Sequence, residues 1–288
     1  MRPAHRFDPL WFLAPTLLVL GLFYFYPLAL LGYYSVHEWD LLTPPRFVGA
    51  QNYRALFGAG GVAEVFATTL QMSVTSVLGS MLFGLALALG VNRPGRLAAF
   101  VRSSVFSAYV VSWVSVGLLW LWLLDADAGV ISAAFRALFG SKGALLSNPS
   151  TAPWALSLVI TWKITGYAMV LFLSGLQSIP HSVLEAASLD GASAWRRLRH
   201  VVLPLLSPTT AFVATTSLIL TFQAFDVVRV MTQGGPVRST TVFVYSIYEQ
   251  MFMDLRVGRA SAEAMLFFVV LLALTGLQLW AFQRRGAL

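Results

Sequence analysis

Two groups of residues have the types and spacing to do chemistry. The first is the charged stretch Glu185-Ala186-Ala187-Ser188-Leu189-Asp190-Gly191, which runs on through Trp195, Arg196, Arg197 and Arg199 to Pro204. It lies between two long apolar segments. Acids, arginines and a tryptophan in so short a stretch suit a docking element that fits a groove on a partner. They also suit an amphipathic helix held at an anionic lipid surface. Residue types leave both readings open, although Glu185 and Asp190 argue against purely lipid binding. The second group centres on Lys163, inside Ile160-Thr161-Trp162-Lys163-Ile164-Thr165-Gly166. A charge at the centre of a bilayer costs roughly 2.5–3.5 kcal/mol on insertion scales. Lys163 is far from both ends of its apolar run, so its stem reaches water only with strain. It therefore lines a polar path, pairs with an acid, or makes a structural pairing within an assembly.

Other polar groups lie within or beside apolar runs. Gln71, Ser73, Trp162, Thr165, Tyr167, Thr221 and Gln223 could hydrogen-bond to and stack on a sugar, and they could equally join helix to helix. Asp226 and Arg229 are spaced for an ion pair across one helical turn. Lys163, Trp162, Gln223, Asp226 and Gln71 form the candidate substrate path. Glu263 enters the last apolar run, and a boundary residue facing outer water is its favoured reading. No GxxxxGK[ST] sequence is present, so this chain is not expected to hold nucleotide phosphates. His5, His37, His181 and His200 show no metal-ligand spacing, and no Ser/His/Asp set assembles on one side. No cofactor is expected on this chain.

The elements that must position these residues follow from composition. The 288-residue chain is 58% hydrophobic and 11% charged, with a mean hydropathy of +0.74. Soluble chains carry about 25% charged residues; this chain reads instead as an all-α polytopic membrane protein, a single transmembrane domain over residues 1–288. Zero cysteines exclude thiol chemistry and disulfides. The net charge of +7 sits beside apolar runs, which indicates membrane orientation rather than nucleic-acid binding.

About 20 apolar residues span a bilayer as a helix. Six runs qualify: Leu10–Tyr34, Val65–Val91, Val101–Leu124, Trp154–Gln177, Leu203–Val228 and Ala262–Phe282. Unbroken runs indicate helices, because barrel strands alternate. Arg2, Arg6, Arg93, Arg96, Arg102, Arg196, Arg197, Arg199, Arg284 and Arg285 fall on one side of a six-span arrangement. By the positive-inside rule that side is the cytoplasm, with both termini on it. The opposite loops are mixed in charge, with Glu38, Asp40, Arg46, Asp125, Asp127 and Lys142 among them. Trp11, Trp39, Trp122 and Trp280 lie near span ends, where aromatic belts anchor.

Within the charged stretch, a helix starts either at Pro180 or with a Ser182/Glu185 capping box. Gly191 breaks it, because a residue without Cβ takes the positive φ of a tight reversal. Ser193 is placed to cap a second short helix, with Trp195, Leu198 and Val202 on one face. Pro204 is expected to stop that geometry. Gln233-Gly-Gly-Pro236 reads as a tight turn.

Glu185-Ala-Ala, Gly191, Val201 and Leu203-Pro204 together resemble the EAA loop of the binding-protein-dependent ABC importer permeases, with Val201 where isoleucine is usual. Phe225-Asp226, Met231-Thr-Gln-Gly-Gly-Pro236, Gly258-Arg-Ala-Ser-Ala262 and Phe47-Val-Gly-Ala-Gln-Asn-Tyr53 are similar to segments of the MalF/UgpA-type sugar and glycerol-phosphate permeases. An aromatic commonly stands there at the position of Arg259. The resemblance covers nearly the whole chain. It implies a non-catalytic inner-membrane permease subunit with its coupling loop at about 180–204. It implies that Glu185, Ala186, Ala187, Asp190 and Gly191 meet a separate ABC ATPase dimer, which carries ATP and magnesium. It further implies a second, homologous permease, an extracytoplasmic solute-binding protein and a lipid surround. The solute would be a sugar, an oligosaccharide or a glycerol-phosphate compound. The alternative is a stand-alone secondary transporter of a small polar solute. That needs coupling-ion ligands and usually internal symmetry, and only Lys163 lies deep. A membrane enzyme would need an acid/base or metal cluster at one face, and none is evident.

Overall fold

The computed structural model describes residues 8–58, 61–140 and 143–284. Arg2, His5, Arg6, Lys142 and Arg285 lie outside the described residues. Long apolar runs have no water to satisfy their backbone, so they close every N–H and C=O within one helix. Four helices are long and apolar enough to cross a membrane: Phe12–Ser35, Val62–Val91, Ala152–Gln177 and Val257–Arg284. Two bent pairs also qualify, Arg96–Val110 with Trp113–Leu123 at 101°, and Ala194–Leu205 with Ser207–Phe222 at 66°. If each bent pair is one span, there are six. The expected third and fifth spans are therefore broken helices rather than straight ones.

The chain divides into two compact units. One joins Met1–Ala63 to Ser246–Val269. Here α1 (Asp8–Leu20) passes through a π-helical turn, Gly21–Phe25, into α2 (Tyr26–Ser35). A minimal hairpin follows, β1 (His37–Glu38) against β2 (Arg46–Phe47), antiparallel, with His37 opposite Phe47. The Asn52 side-chain amide, in α3 (Gln51–Phe57), donates to the Ser35 and His37 carbonyls at 2.9 Å each. These bonds tie the loop to the end of α2.

The other unit comprises Glu64–Tyr245 and Val270–Leu288. It holds most of α4 (Val62–Val91), then α5 (Arg96–Val110), α6 (Trp113–Leu123), α7 (Val130–Phe139) and α8 (Ala152–Gln177). Next come α9 (His181–Leu189), α10 (Ala194–Arg197), α11 (Leu203–Leu205), α12 (Ser207–Phe222) and α13 (Phe225–Met231). The elements α14 (Phe243–Tyr248) and α15 (Val257–Arg284) run from one unit into the other.

The axis of this second unit is α8, which buries Leu156, Val159, Ile160, Ile164, Ala168, Met169 and Phe172. It packs most extensively against α5 and also against α12. Helices in lipid gain little from hydrophobicity and depend on close packing at small residues. Gly166 is such a point, since a Cβ there would lie 2.4 Å from the Val105 carbonyl oxygen.

Three local expectations are corrected. The last span starts at Val257 rather than Ala262. Glu263 thus stands inside the helix and is 1% exposed, not facing water. It accepts hydrogen bonds from the Ser246 hydroxyl, at 3.0 Å, and from the Gln250 amide. Pro204 does not end the second short helix. Without an N–H it still fits early in a helical turn, and the chain stays helical through a π turn, Leu198–Val202, to Leu205. The fifth span breaks again at Gln223–Ala224, before α13.

Candidate functional site

The charged stretch forms a braced pair of short helices. Pro180 is the N-cap of α9, with no side-chain cap. Ser182 lies inside the helix, so the capping-box alternative is not formed. At the other end, the Gly191 N–H donates to the Ser188 carbonyl and the Ala192 N–H to the Ala187 carbonyl, both at 3.1 Å. This is the paired closure of a Schellman motif, and Gly191 supplies its left-handed residue with φ +74°. A Cβ on Gly191 would meet nothing within 4 Å. The requirement at this position is torsional, not spatial.

Ser193 then caps α10 as expected, its hydroxyl accepting from the Arg196 N–H at 3.4 Å. Arg197 reaches back and donates to the Ser188 hydroxyl at 2.7 Å. Leu184 and Leu198 pack on the buried cluster around Met169, Phe172, Leu173 and Val202. The helix pair is thereby fixed to the end of α8, while its outer side stays open. Glu185, Ala186, Asp190 and Gly191 are exposed, and Ala187 is half-buried. Two apolar residues also point outward, Leu189 at 89% exposure and Trp195 at 68%. The sequence pattern does not single out Leu189, and it groups Trp195 with Leu198 and Val202, of which Val202 is buried while Trp195 is exposed. The signal for Leu189 is a large apolar residue between Ser188 and Asp190, two positions before the turn glycine. Two open grooves flank the pair. One of about 460 Å³ is lined by Glu185, Ser188, Leu189 and Arg197. One of about 330 Å³ is lined by Ala187, Asp190, Arg196 and His200.

The five candidate substrate-path residues do not gather. Lys163 is 1% exposed, and among the described residues no acid pairs with it. Its ammonium donates to the carbonyls of Ala108 at 3.3 Å, Tyr109 at 3.1 Å and Val111. It also sits 4.7 Å from the centre of the Trp113 ring. These carbonyls belong to the last turn of α5, where Val111 and Ser112 are extended and the span bends. The last carbonyls of a helix lack internal partners and carry its negative dipole end. Lys163 supplies the donors that the bend removes. Arg102 does the same for α4, donating to the Val91 carbonyl at 3.1 Å.

Trp162 points the other way on α8, exposed, with its ring edge-on to Trp120 at 5.6 Å. Gln71 is half-buried in α4. Gln223 is exposed at the end of α12, and Asp226 is half-buried in the first turn of α13. No hydrogen bond joins any two of the five.

Together these features define a class: an α-helical, multi-pass membrane protein with an exposed, self-braced pair of short helices between two of its spans. Residues 80–286 match the family model described as binding-protein-dependent transport system inner membrane component. The chain belongs to that family, the permease subunits of ABC transporters. It is 31% identical to the sn-glycerol-3-phosphate transport system permease protein UgpA of Agrobacterium fabrum strain C58, over 98% of this chain and 96% of that one. It is 33% identical to the sulfoquinovosyl glycerol transport system permease protein SmoG of the same organism, over 93% and 87%. Its fold matches a chain in the crystal structure of a bacterial ABC transporter involved in the import of the acidic polysaccharide alginate. The TM-score is 0.81 at 22% identity, covering 96% of this chain and 95% of that one.

Proposed function

We propose that this chain is one of two homologous permeases in an ATP-driven importer, translocating a sugar, an oligosaccharide or a glycerol-phosphate-type solute. A solute-binding protein delivers the solute on the outer side. ATP and magnesium bind a separate ATPase dimer, and both termini of the permease lie on the cytoplasmic side with the α9–α10 pair. Closing of the ATPase dimer displaces that pair, and the spans attached to it rock between inward-facing and outward-facing arrangements. Glu185, Ala186, Ala187, Asp190 and Gly191 form the docking turn. The solute class rests on the names of the relatives.

One observation carries the docking role. The helix pair is rigidly braced and anchored by Leu184 and Leu198, yet it presents Leu189 and Trp195 to the outside. An exposed apolar tip set among acids supports a protein contact over a purely anionic lipid surface, which Glu185 and Asp190 would repel.

A pull-down of the tagged chain from its native membranes, wild type against Gly191→Pro, tests the reading. Proline cannot take φ +74° and has no N–H for Ser188. An ATPase and a second permease are expected with wild type, and loss of the ATPase with the variant. A chain that emerges alone in both cases defeats the importer reading.

A further inference from the structure

A cleft of about 530 Å³ opens between the loop after α2 and the start of α15. Trp39 and Thr43 line it from the loop, Asn52 from α3, Arg256 from just before α15 and Arg259 from the first turn of that helix. All five belong to the unit that joins Met1–Ala63 to Ser246–Val269. The walls are cross-braced. The Val257 N–H donates to the Trp39 carbonyl at 2.9 Å, and Asn52 holds the carbonyls of Ser35 and His37. The cleft is therefore pre-formed.

Its charges are unevenly satisfied. Glu38 accepts from Arg46 at 2.7 Å. Asp40 accepts from the amides of Leu42 and Thr43 and from the Thr43 hydroxyl, at 3.0, 2.8 and 2.8 Å. Asp254 faces Arg256 at 3.6 Å. Arg259 alone among these cations has no hydrogen bond or ion pair among the described residues, and its Nε is sealed from water without an acceptor. A buried donor without an acceptor is destabilising. Within the same unit, Gln250 Oε1 and Glu263 Oε1 are likewise buried without a partner, and neither bonds to Arg259; Arg259 itself lines the cleft.

We infer that this cleft is an anion subsite: the Arg259 guanidinium takes a carboxylate, phosphate or sulfonate group of a small solute. Arg256, partly engaged by Asp254, adds a second positive charge. A guanidinium offers its N–H groups as a fork that matches two oxygens of one oxyanion. The volume falls within the range of about 300–1,000 Å³ typical of small-molecule sites. The inference rests on the importer reading, which puts this loop on the side where solute arrives. It narrows the solute class to anionic members.

The test uses the assembled complex in nanodiscs, with no solute-binding protein present. Glucuronate is titrated against glucose, and glycerol 3-phosphate against glycerol, by calorimetry. The charged member of each pair is expected to bind and the neutral member not. Added salt weakens that binding, and inorganic phosphate competes for it on wild-type protein. Arg259→Gln is expected to weaken it about tenfold or more, and Arg259→Lys less. ATPase co-purification at wild-type yield reports that each variant is folded, and the salt and phosphate measurements need no variant. No binding of the charged probes to wild type, equal binding of charged and neutral probes, or unchanged binding in a folded Arg259→Gln overturns the inference. Failure of any ATPase to co-purify with wild type overturns the importer reading instead.

Discussion

The middle of α8 and the helix pair beyond its end handle charge in opposite ways. Lys163 is enclosed, and its ammonium serves backbone carbonyls 52 to 55 positions earlier in the chain. In the α9–α10 pair, the bonds are local. Ser193 caps its own helix, and Arg197 reaches a serine nine residues away. The acids Glu185 and Asp190 stay exposed. A buried charge in an apolar fold is committed to holding backbone in place, because leaving it unpaired is too costly. An exposed charge on a locally self-satisfied element remains free to be recognised. The comparison separates charge that holds backbone in place from charge left exposed within one protein.

The largest effect should come from the buried side. Lys163→Met removes the donors of Ala108, Tyr109 and Val111 while keeping the apolar stem. An unsatisfied buried polar group costs roughly 1–3 kcal/mol. The loss should therefore amount to several kcal/mol and appear as a strongly lowered unfolding temperature and yield of the purified complex. Lys163→Arg retains donors and should lose less. If Lys163→Met unfolds like wild type, the bend of 101° is held by packing alone, and the contrast with the helix pair collapses.

On the exposed side the signs reverse, with function lost and most stability kept. Gly191→Pro should abolish solute uptake while lowering the unfolding temperature far less than Lys163→Met does, because its torsional strain and lost hydrogen bond fall on an open turn outside the buried core. Gly191→Ala forces a Cβ into the left-handed region, at a cost of roughly 1–2 kcal/mol, and should leave measurable uptake. A Gly191→Pro variant that transports normally would show that the turn is not part of the docking surface.

The same contrast explains what the sequence makes legible. Six apolar runs and the helix–turn–helix around Gly191 can be read directly, since helical spans and a Schellman turn depend on residues within a few positions of one another. The bend at Val111–Ser112 cannot, because no proline or glycine marks it. The contacts made at and beside it, from Lys163 to the end of α5 and at the close approach of α5 to Gly166, both reach across more than 50 positions. The burial of Glu263 was hidden for the same reason. Its partner Ser246 lies on a separate helix, 17 positions away. Arg259 was visible as an unusual residue, but its lack of a partner emerges only when the loop carrying Glu38 and Asp40 is folded beside it.

A smaller effect probes how far the helix pair depends on its own caps. Ser193→Ala removes the acceptor for the Arg196 N–H, a change that typically costs about 1 kcal/mol. Amide protection should fall over α10 alone, with α8 and α12 unchanged. Loss of protection spreading into α12 would mean that the pair and the span behind it open as one body.

The smallest expected effect lies in the loops between spans, where charge is both exposed and locally satisfied. Hydrogen bonds from the Thr43 amide, the Thr43 hydroxyl and the Leu42 amide hold the Asp40 carboxyl below its ordinary value of 3.8. Amides of Ala128 and Asp127 do the same for Asp125. A lowered carboxyl value in the folded state favours folding at pH above the unfolded value, and that contribution fades as pH falls through the folded one. Protection of the Leu42 and Thr43 amides should thus be constant near neutrality and drop below about pH 4. In Asp40→Ala it should be low throughout, with no step. A step that persists in Asp40→Ala would show that the protection of these amides does not depend on the Asp40 carboxyl.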